Sequence, residues 1–183
     1  MWSIKRAADA LKSGGVIAYP TEAVYGLGCD PRNETAIHRL LTMKQRPSGK
    51  GLILIAANLG QIKPYIALPA AHLRHKIIRH RNETMTWIYP RSEETPTWLY
   101  GPFEGIAIRL SNHPVATMLC EYFGGAIVST SANISHQPPA RRATQVRNQF
   151  SYSLDYILNA PTGGRHAPSP IRVLVDNRLL RKG

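Results

Sequence analysis

Residues 16–52 (VIAYPTEAVYGLGCDPRNETAIHRLLTMKQRPSGKGL) constrain the fold more than any other part of the chain. A short apolar run, residues 16–19, meets Pro20. Proline cannot donate to a β-ladder, so a strand is expected to stop there. Residues 21–30, with Gly26 and Gly28, read as a loop. Asn33 then stands where a helix N-cap would, followed by Ile37, Leu40 and Leu41 at helical spacing. The residue before a proline avoids the α region, so Pro47 forces the helix to end first. Lys44 and Arg46 therefore fall at the helix C-terminus and its exit turn. Residues 52–56 (LILIA) form a continuous apolar run suited to an interior strand. A strand, a loop, a capped helix and a second strand thus follow one another within 41 residues, counted inclusively from 16 to 56.

The same alternation continues on both sides. Upstream, Ser3 is placed to cap a helix whose Ile4, Ala7, Ala8 and Leu11 share one face. Downstream, Asn58 is placed to cap a short helix reaching Tyr65, and residues 69–81 have a helical pattern with a basic outer face. Strands are expected over 84–89, 106–110, 126–130, 154–158 and 171–176. Helices are expected over 113–123, ended by Gly124 and Gly125, and from Thr144, as cap, to Phe150. Residues 178–183 are expected to fray. Interleaved strands and helices of this kind imply a single domain over residues 1–183, with helices on both faces of a mixed sheet.

Composition narrows the partners. The chain has 23 Lys and Arg against 11 Asp and Glu, a net charge of +12, which favours anionic ligands such as nucleotides or RNA. There is no run of about 18 apolar residues, so no membrane span is expected. The first residues lack the apolar core of a secretion signal, and the two cysteines, Cys29 and Cys120, read as free thiols of a cytoplasmic protein.

Several positions carry chemistry. Lys44 and Arg46, two apart in a non-helical exit, can face one phosphate. Cations also stabilise helix C-termini, so the pattern alone leaves phosphate binding and simple capping both open. Gly26 and Gly28 lack the third glycine of a dinucleotide fingerprint, since position 31 is proline. No GxxxxGK[ST] loop occurs. Ser129, Ser131 and Asn133 follow a strand, at the end where open α/β sheets bind ligands, although the residues alone read first as an ordinary Ser/Asn turn. No GxSxG elbow surrounds them. His72 and His75 are three apart but belong to no HExxH pattern, so no metal site is expected. Arg109 is a charge late in an apolar strand, a placement that calls for a partner or a ligand.

Together the segments PTEAVYGLG, KQRP, KGLILIAAN, AIRL, STSAN, TGG and PSPIR resemble the YrdC/TsaC family of threonylcarbamoyl-AMP synthases, and most closely its bacterial single-domain TsaC branch. One motif departs. Where the family usually has Trp-Pro-Gly-Pro-x-Thr, this chain reads Arg81-Asn82-Glu83-Thr84-Met85-Thr86 and keeps only Thr86.

The resemblance implies an α+β, YrdC-like three-layer fold around a twisted sheet of parallel and antiparallel strands. It implies a nucleotidyltransferase that joins L-threonine, bicarbonate or CO2, and ATP with Mg2+ into threonylcarbamoyl-adenylate for the t6A modification of tRNA. By the same resemblance Lys44 and Arg46 would be catalytic and would bind ATP with Lys50, Ser129, Ser131, Asn133 and Arg172. Thr21 and Arg109 would bind L-threonine. The implied partners are proteins of the t6A-transferase complex and tRNA or double-stranded RNA. An RNA-binding module without turnover, or a nucleotide-binding paralogue without catalysis, remain open alternatives.

Overall fold

The computed structural model describes residues 1–67, 75, 84–150 and 152–183. Nine strands form one sheet: β1 (Ile17–Pro20), β2 (Tyr25–Gly28), β3 (Ile53–Ala56), β4 (Thr86–Pro90), β5 (Gly105–Leu110), β6 (Ile127–Ser131), β7 (Tyr156–Ile157), β8 (Ile171–Val173) and β9 (Leu179–Arg181). Their spatial order is β7-β1-β2-β6-β3-β5-β4-β8-β9. The pairs β1/β7, β3/β5 and β4/β8 are parallel, and the others are antiparallel. Strand β6 is the joint. Its Thr130 and Ser131 pair with β2, while Ile127, Val128 and Ser129 pair with β3.

Strand alternation separates two apolar layers. Ile17, Tyr19, Ile55 and Ile127 point to one face and pack on helices α1 (Trp2–Lys12) and α5 (Pro114–Phe123), through Ala7, Leu11, Ala116 and Leu119. Ala18, Leu54, Ala56 and Val128 point to the other face. There they meet Ile37 and Leu40 of α2 (Glu34–Met43) and Val146 and Phe150 of α6 (Ala143–Phe150). Helices therefore cover both faces of a mixed sheet, the three-layer arrangement expected from the sequence. Two short α-helices, α3 (Leu59–Ile62) and α4 (Thr97–Tyr100), and two 3-10 turns, Ser48–Lys50 and Lys63–Tyr65, are also present. No described helix is long and apolar enough to cross a membrane.

The caps at Asn33 and Asn58 are in place. Asn33 Oδ1 accepts from Ala36 N at 2.9 Å, and Asn58 Oδ1 from Gln61 N at 3.3 Å. Several strand ends lie one or two residues from expectation, and three other boundaries differ as well. Helix α1 begins at Trp2, so Ser3 lies in its first turn. Helix α6 begins at Ala143, so Thr144 lies inside it. There the free amides of Arg141 and Arg142 both donate to Gln145 Oε1. Pro20 belongs to β1, as its last residue, opposite Tyr25. The expected helix over 69–81 lies outside the described residues, apart from His75.

Two larger differences shape the site. Residues 25–28 are a strand and not part of a loop. The glycines that suggest a loop are required by a close approach. A Cβ on Gly28 would lie 2.5 Å from the Val128 carbonyl oxygen and 2.8 Å from the Tyr19 ring. The C-terminal residues are also ordered: β8 stops at Val173, the chain turns with Asn177 at φ 64, and β9 returns along β8.

Candidate active site

The sheet carries a cleft of about 590 Å³. Thr21 lines it from the β1–β2 connection, Arg46 and Lys50 from the exit of α2, Arg109 from β5, and Ser129 and Ser131 from β6. These six sequence-predicted residues come from segments far apart in the chain and meet around one space.

Local structure at the end of α2 explains how Arg46 gets there. Gln45 takes a left-handed backbone at φ 51, with its amide on Thr42 O at 2.9 Å, while Arg46 N donates to Leu41 O at 3.0 Å. That pair of bonds is a Schellman stop, normally built on glycine. It turns Arg46 out of the helix and into the cleft. Arg46 Nη2 donates to the carbonyls of Lys50 at 3.1 Å and Gly51 at 2.8 Å. Its Nε is buried without a hydrogen bond.

Lys44, at the C-cap, points inward instead and is 3% exposed. Its ammonium donates to the carbonyl oxygens of Ser131 and Asn133 and lies 3.4 Å from Asn133 Oδ1. Burial, with the neighbouring Arg46 charge, lowers its pKa to about 8. Asn133 is tied into the same turn: Oδ1 accepts from Ser131 Oγ at 2.6 Å, and Nδ2 donates to the carbonyls of Ile134 and Gln137. Lys44 and Asn133 thus stand behind the wall that carries Ser131 and do not line the cleft. Arg172 does not line it either. Its neighbour Ile171 does, strand alternation sends Arg172 to the other face, and its Nη1 donates to Asn177 O at 3.0 Å.

On the opposite side Thr21 donates its hydroxyl to Val24 O at 2.7 Å. Arg109 Nη1 donates to Ser169 Oγ at 3.2 Å, and Nη2 is 3.5 Å from Glu22 Oε2. Ser169 Oγ in turn lies 2.8 Å from Thr86 Oγ1. Thr86, the one residue retained from the divergent 81–86 motif, therefore supports Arg109 through a single serine. Residues 81–83 of that motif lie outside the described residues.

A profile of the family described as Telomere recombination, Sua5/YciO/YrdC, matches residues 9–183. The chain belongs to the Sua5/YciO/YrdC family. It is 46% identical to a threonylcarbamoyl-AMP synthase of Klebsiella pneumoniae, over 99% of this chain and 96% of that one. It is 45% identical to a Vibrio cholerae protein of the same name, over 99% of this chain and 97% of that one. The fold superposes on P. abyssi Sua5 complexed with L-threonine with a TM-score of 0.90 and 29% identity, covering 98% of this chain and 54% of that one. This chain thus spans about half the length of that protein. It superposes on E. coli YciO with a TM-score of 0.82 and 24% identity, covering 98% of this chain and 88% of that one, a likeness of fold.

Within this Sua5/YciO/YrdC fold the cleft has members that sequence reasoning missed. Arg181, in the segment expected to fray, reaches it from β9 and donates from Nη2 to Ser169 O at 2.7 Å. Arg141 lines it as well and binds the carbonyls of Arg165 and His166, pinning residues 165–166 beside the opening. Tyr100 and Phe103 give it an apolar wall. These residues sit in polar or terminal stretches without periodicity. A Leu-Leu-Arg run after the turn-forming Asp-Asn pair at 176–177 was the one signal for β9.

Proposed function

We propose that this enzyme is a threonylcarbamoyl-AMP synthase, a nucleotidyltransferase that condenses L-threonine, bicarbonate or CO2, and ATP. The observation that carries the reading is the meeting of Arg46 and Arg109 with Ser129 and Ser131 in one cleft of about 590 Å³. That volume suits a nucleotide with a small amino acid, since ligand sites commonly span roughly 300–1,000 Å³. The names borne by relatives at 45–46% identity support it.

The threonine amine adds to CO2 to form a carbamate and releases a proton. A carbamate oxygen then attacks the α-phosphorus of ATP, the bond to the β-phosphate oxygen breaks, and pyrophosphate leaves. Negative charge grows around phosphorus during this step. Preorganised cations in a low-dielectric cleft stabilise it most effectively. Arg46, with an Nε free of protein partners, and Lys50 supply that charge from the α2 exit. Ser129 and Ser131 offer hydroxyls from the end of β6. Lys44 and Asn133 hold the turn beneath them. Arg109 receives the threonine carboxylate, and Thr21 lies beside it. Arg172 faces away from the reacting groups. Holding the carbamate against ATP contributes further through proximity alone.

No carboxylate lines the cleft among the described residues, and no described cluster of His, Cys, Asp or Glu could hold a metal ion. The described residues thus offer no Mg2+ cage of their own, and the ion would enter on the phosphates as part of the ATP substrate. The product serves t6A modification of tRNA, in company with proteins of the transferase complex in the cytoplasm. The charge of +12 favours direct contact with tRNA, which a steep salt dependence of binding would register.

The reading is tested by incubating the protein with ATP, bicarbonate and radiolabelled pyrophosphate, with and without L-threonine. Threonine-dependent exchange of label into ATP is expected. ATP turnover indifferent to threonine overturns the assignment.

A further inference from the structure

Glu22 is 7% exposed, yet it does not line the cleft. Its Oε1 accepts from Ser111 Oγ at 2.8 Å and from Asn112 N at 3.1 Å. Its Oε2 makes no hydrogen bond and faces Arg109 Nη2 at 3.5 Å. The backbone around it is clamped too: Gly163 N donates to Thr21 O at 3.0 Å and Arg165 N to Glu22 O at 2.9 Å. A Cβ on Gly163 would come within 3.0 Å of the Glu22 backbone. Glu22 is therefore fixed in place by two segments distant in sequence, residues 109–112 and 163–165.

A buried carboxylate held this firmly needs a reason. Burial alone would raise its pKa, but the Arg109 guanidinium and the hydrogen bonds from Ser111 and Asn112 outweigh burial and keep it below the usual range. Arg109 is the beneficiary. Its Nη1 is tied to Ser169 and its Nη2 faces Glu22, while Nε is buried without a hydrogen bond. Arg181 stands near enough to feel its charge. Without Glu22, two neighbouring guanidiniums would repel across Ser169, and Arg109 would have one anchor.

We propose that Glu22 is a positioning residue for Arg109, holding the guanidinium at the angle at which a substrate carboxylate docks on it from the cleft. The proposal rests on the reading that Arg109 receives the carboxylate of the amino-acid substrate. It makes a distinction a merely structural role would not. Loss of Glu22 should weaken ligands with a free carboxylate and spare those without one.

The test is calorimetric binding of L-threonine and of L-threoninamide, with a non-hydrolysable ATP analogue present, to wild type, Glu22→Gln and Arg109→Ala. Glu22→Gln keeps the acceptor for Ser111 and Asn112 and removes the charge. It should lower threonine affinity about tenfold, the scale of one charged hydrogen-bond partnership, and leave the amide and the ATP analogue at wild-type affinity. An equal loss for threonine and its amide, an unchanged threonine affinity, or a tighter one overturns the positioning role. If Arg109→Ala binds threonine normally, the underlying assignment of Arg109 falls and the proposal with it. If Arg109→Ala loses threonine while Glu22→Gln does not, only the positioning role falls. Should Glu22→Gln fail to fold, Ser111→Ala carries the test. It frees one of the two donors that hold Glu22, so it should weaken threonine by a smaller factor and again spare the amide. Equal affinities in that variant overturn the proposal.

Discussion

Lys44 reaches across 87 residues of sequence to set its ammonium on the carbonyl oxygen of Ser131. A buried cation here binds the turn that ends β6, and a helix end is tied to a sheet end by one side chain. Its lowered pKa, about 8, makes the tie pH-sensitive. The unfolded chain keeps the lysine proton up to about pH 10.4. Between the two values the unfolded state binds more protons, so this group adds stability as pH rises. From pH 8 to 9 the gain should be about 1 kcal/mol. Urea unfolding of wild type against Lys44→Met across this range measures it. The variant should lack the rise, and parallel pH profiles would remove the shifted lysine.

Arg46 differs from Lys44 in facing the cleft. Arg46→Ala gives up hydrogen bonds to two carbonyls in an exit turn that the backbone already holds through Arg46 N and Leu41 O. The melting temperature should therefore move by only a few degrees. Loss of one preorganised charge donor typically costs roughly 10²–10³ in turnover. Threonine-dependent pyrophosphate release should fall by that order. A variant with near wild-type rates would return Arg46 to the simpler role of closing α2.

Which parts of this arrangement the sequence discloses follows from locality. The helix over 34–43 is legible because its cap, its apolar face and its proline stop all lie within a few residues. The interior strand 53–56 is legible from its unbroken apolar run. Strand β2 is not, because Gly26 and Gly28 signal a turn, and their real reason is the Tyr19 ring and the Val128 backbone, one of them 100 residues away (128 − 28). Arg181 is hidden for a similar reason: three exposed residues gain a structure only by pairing with β8. The Lys-x-Arg pair is visible as a pair. Its division into a buried anchor and a cleft cation depends on where β6 ends, which no local pattern encodes.

Asn133 tests whether the anchored turn matters to stability. Its amide takes hydrogen bonds from Ser131 and gives them to Ile134 and Gln137, beside the Lys44 ammonium. Asn133→Ala leaves those partners unsatisfied and should cost about 2 kcal/mol. ATP affinity should fall with it, because Ser131 loses the acceptor that orients its hydroxyl. Chemical denaturation and nucleotide titration of the same preparation check both. Full stability with normal ATP affinity would free the turn from any role.

Two glycines separate crowding from backbone strain. At Gly28 an added methyl would meet the Val128 carbonyl at 2.5 Å, and that carbonyl belongs to the strand that also carries Ser129 and Ser131. Neither neighbour is the end of a flexible side chain, so β2 or β6 must shift. Overpacking of this kind typically costs about 1–3 kcal/mol. At Gly124 the backbone is left-handed at φ 90, but a methyl would meet nothing within 4 Å. Gly124→Ala should therefore cost only the conformational strain, about 1–2 kcal/mol. The two variants can come out similar in denaturation and should still part in activity. Gly28→Ala displaces the Gly26–Ser131 pairing at the floor of the cleft and should lower threonine-dependent turnover well beyond its unfolded fraction. Gly124→Ala, at the far end of α5, should keep the wild-type rate per folded molecule. Equal specific activities in the two would mean that β6 tolerates the shift and that the serines are less finely placed than the sheet register suggests.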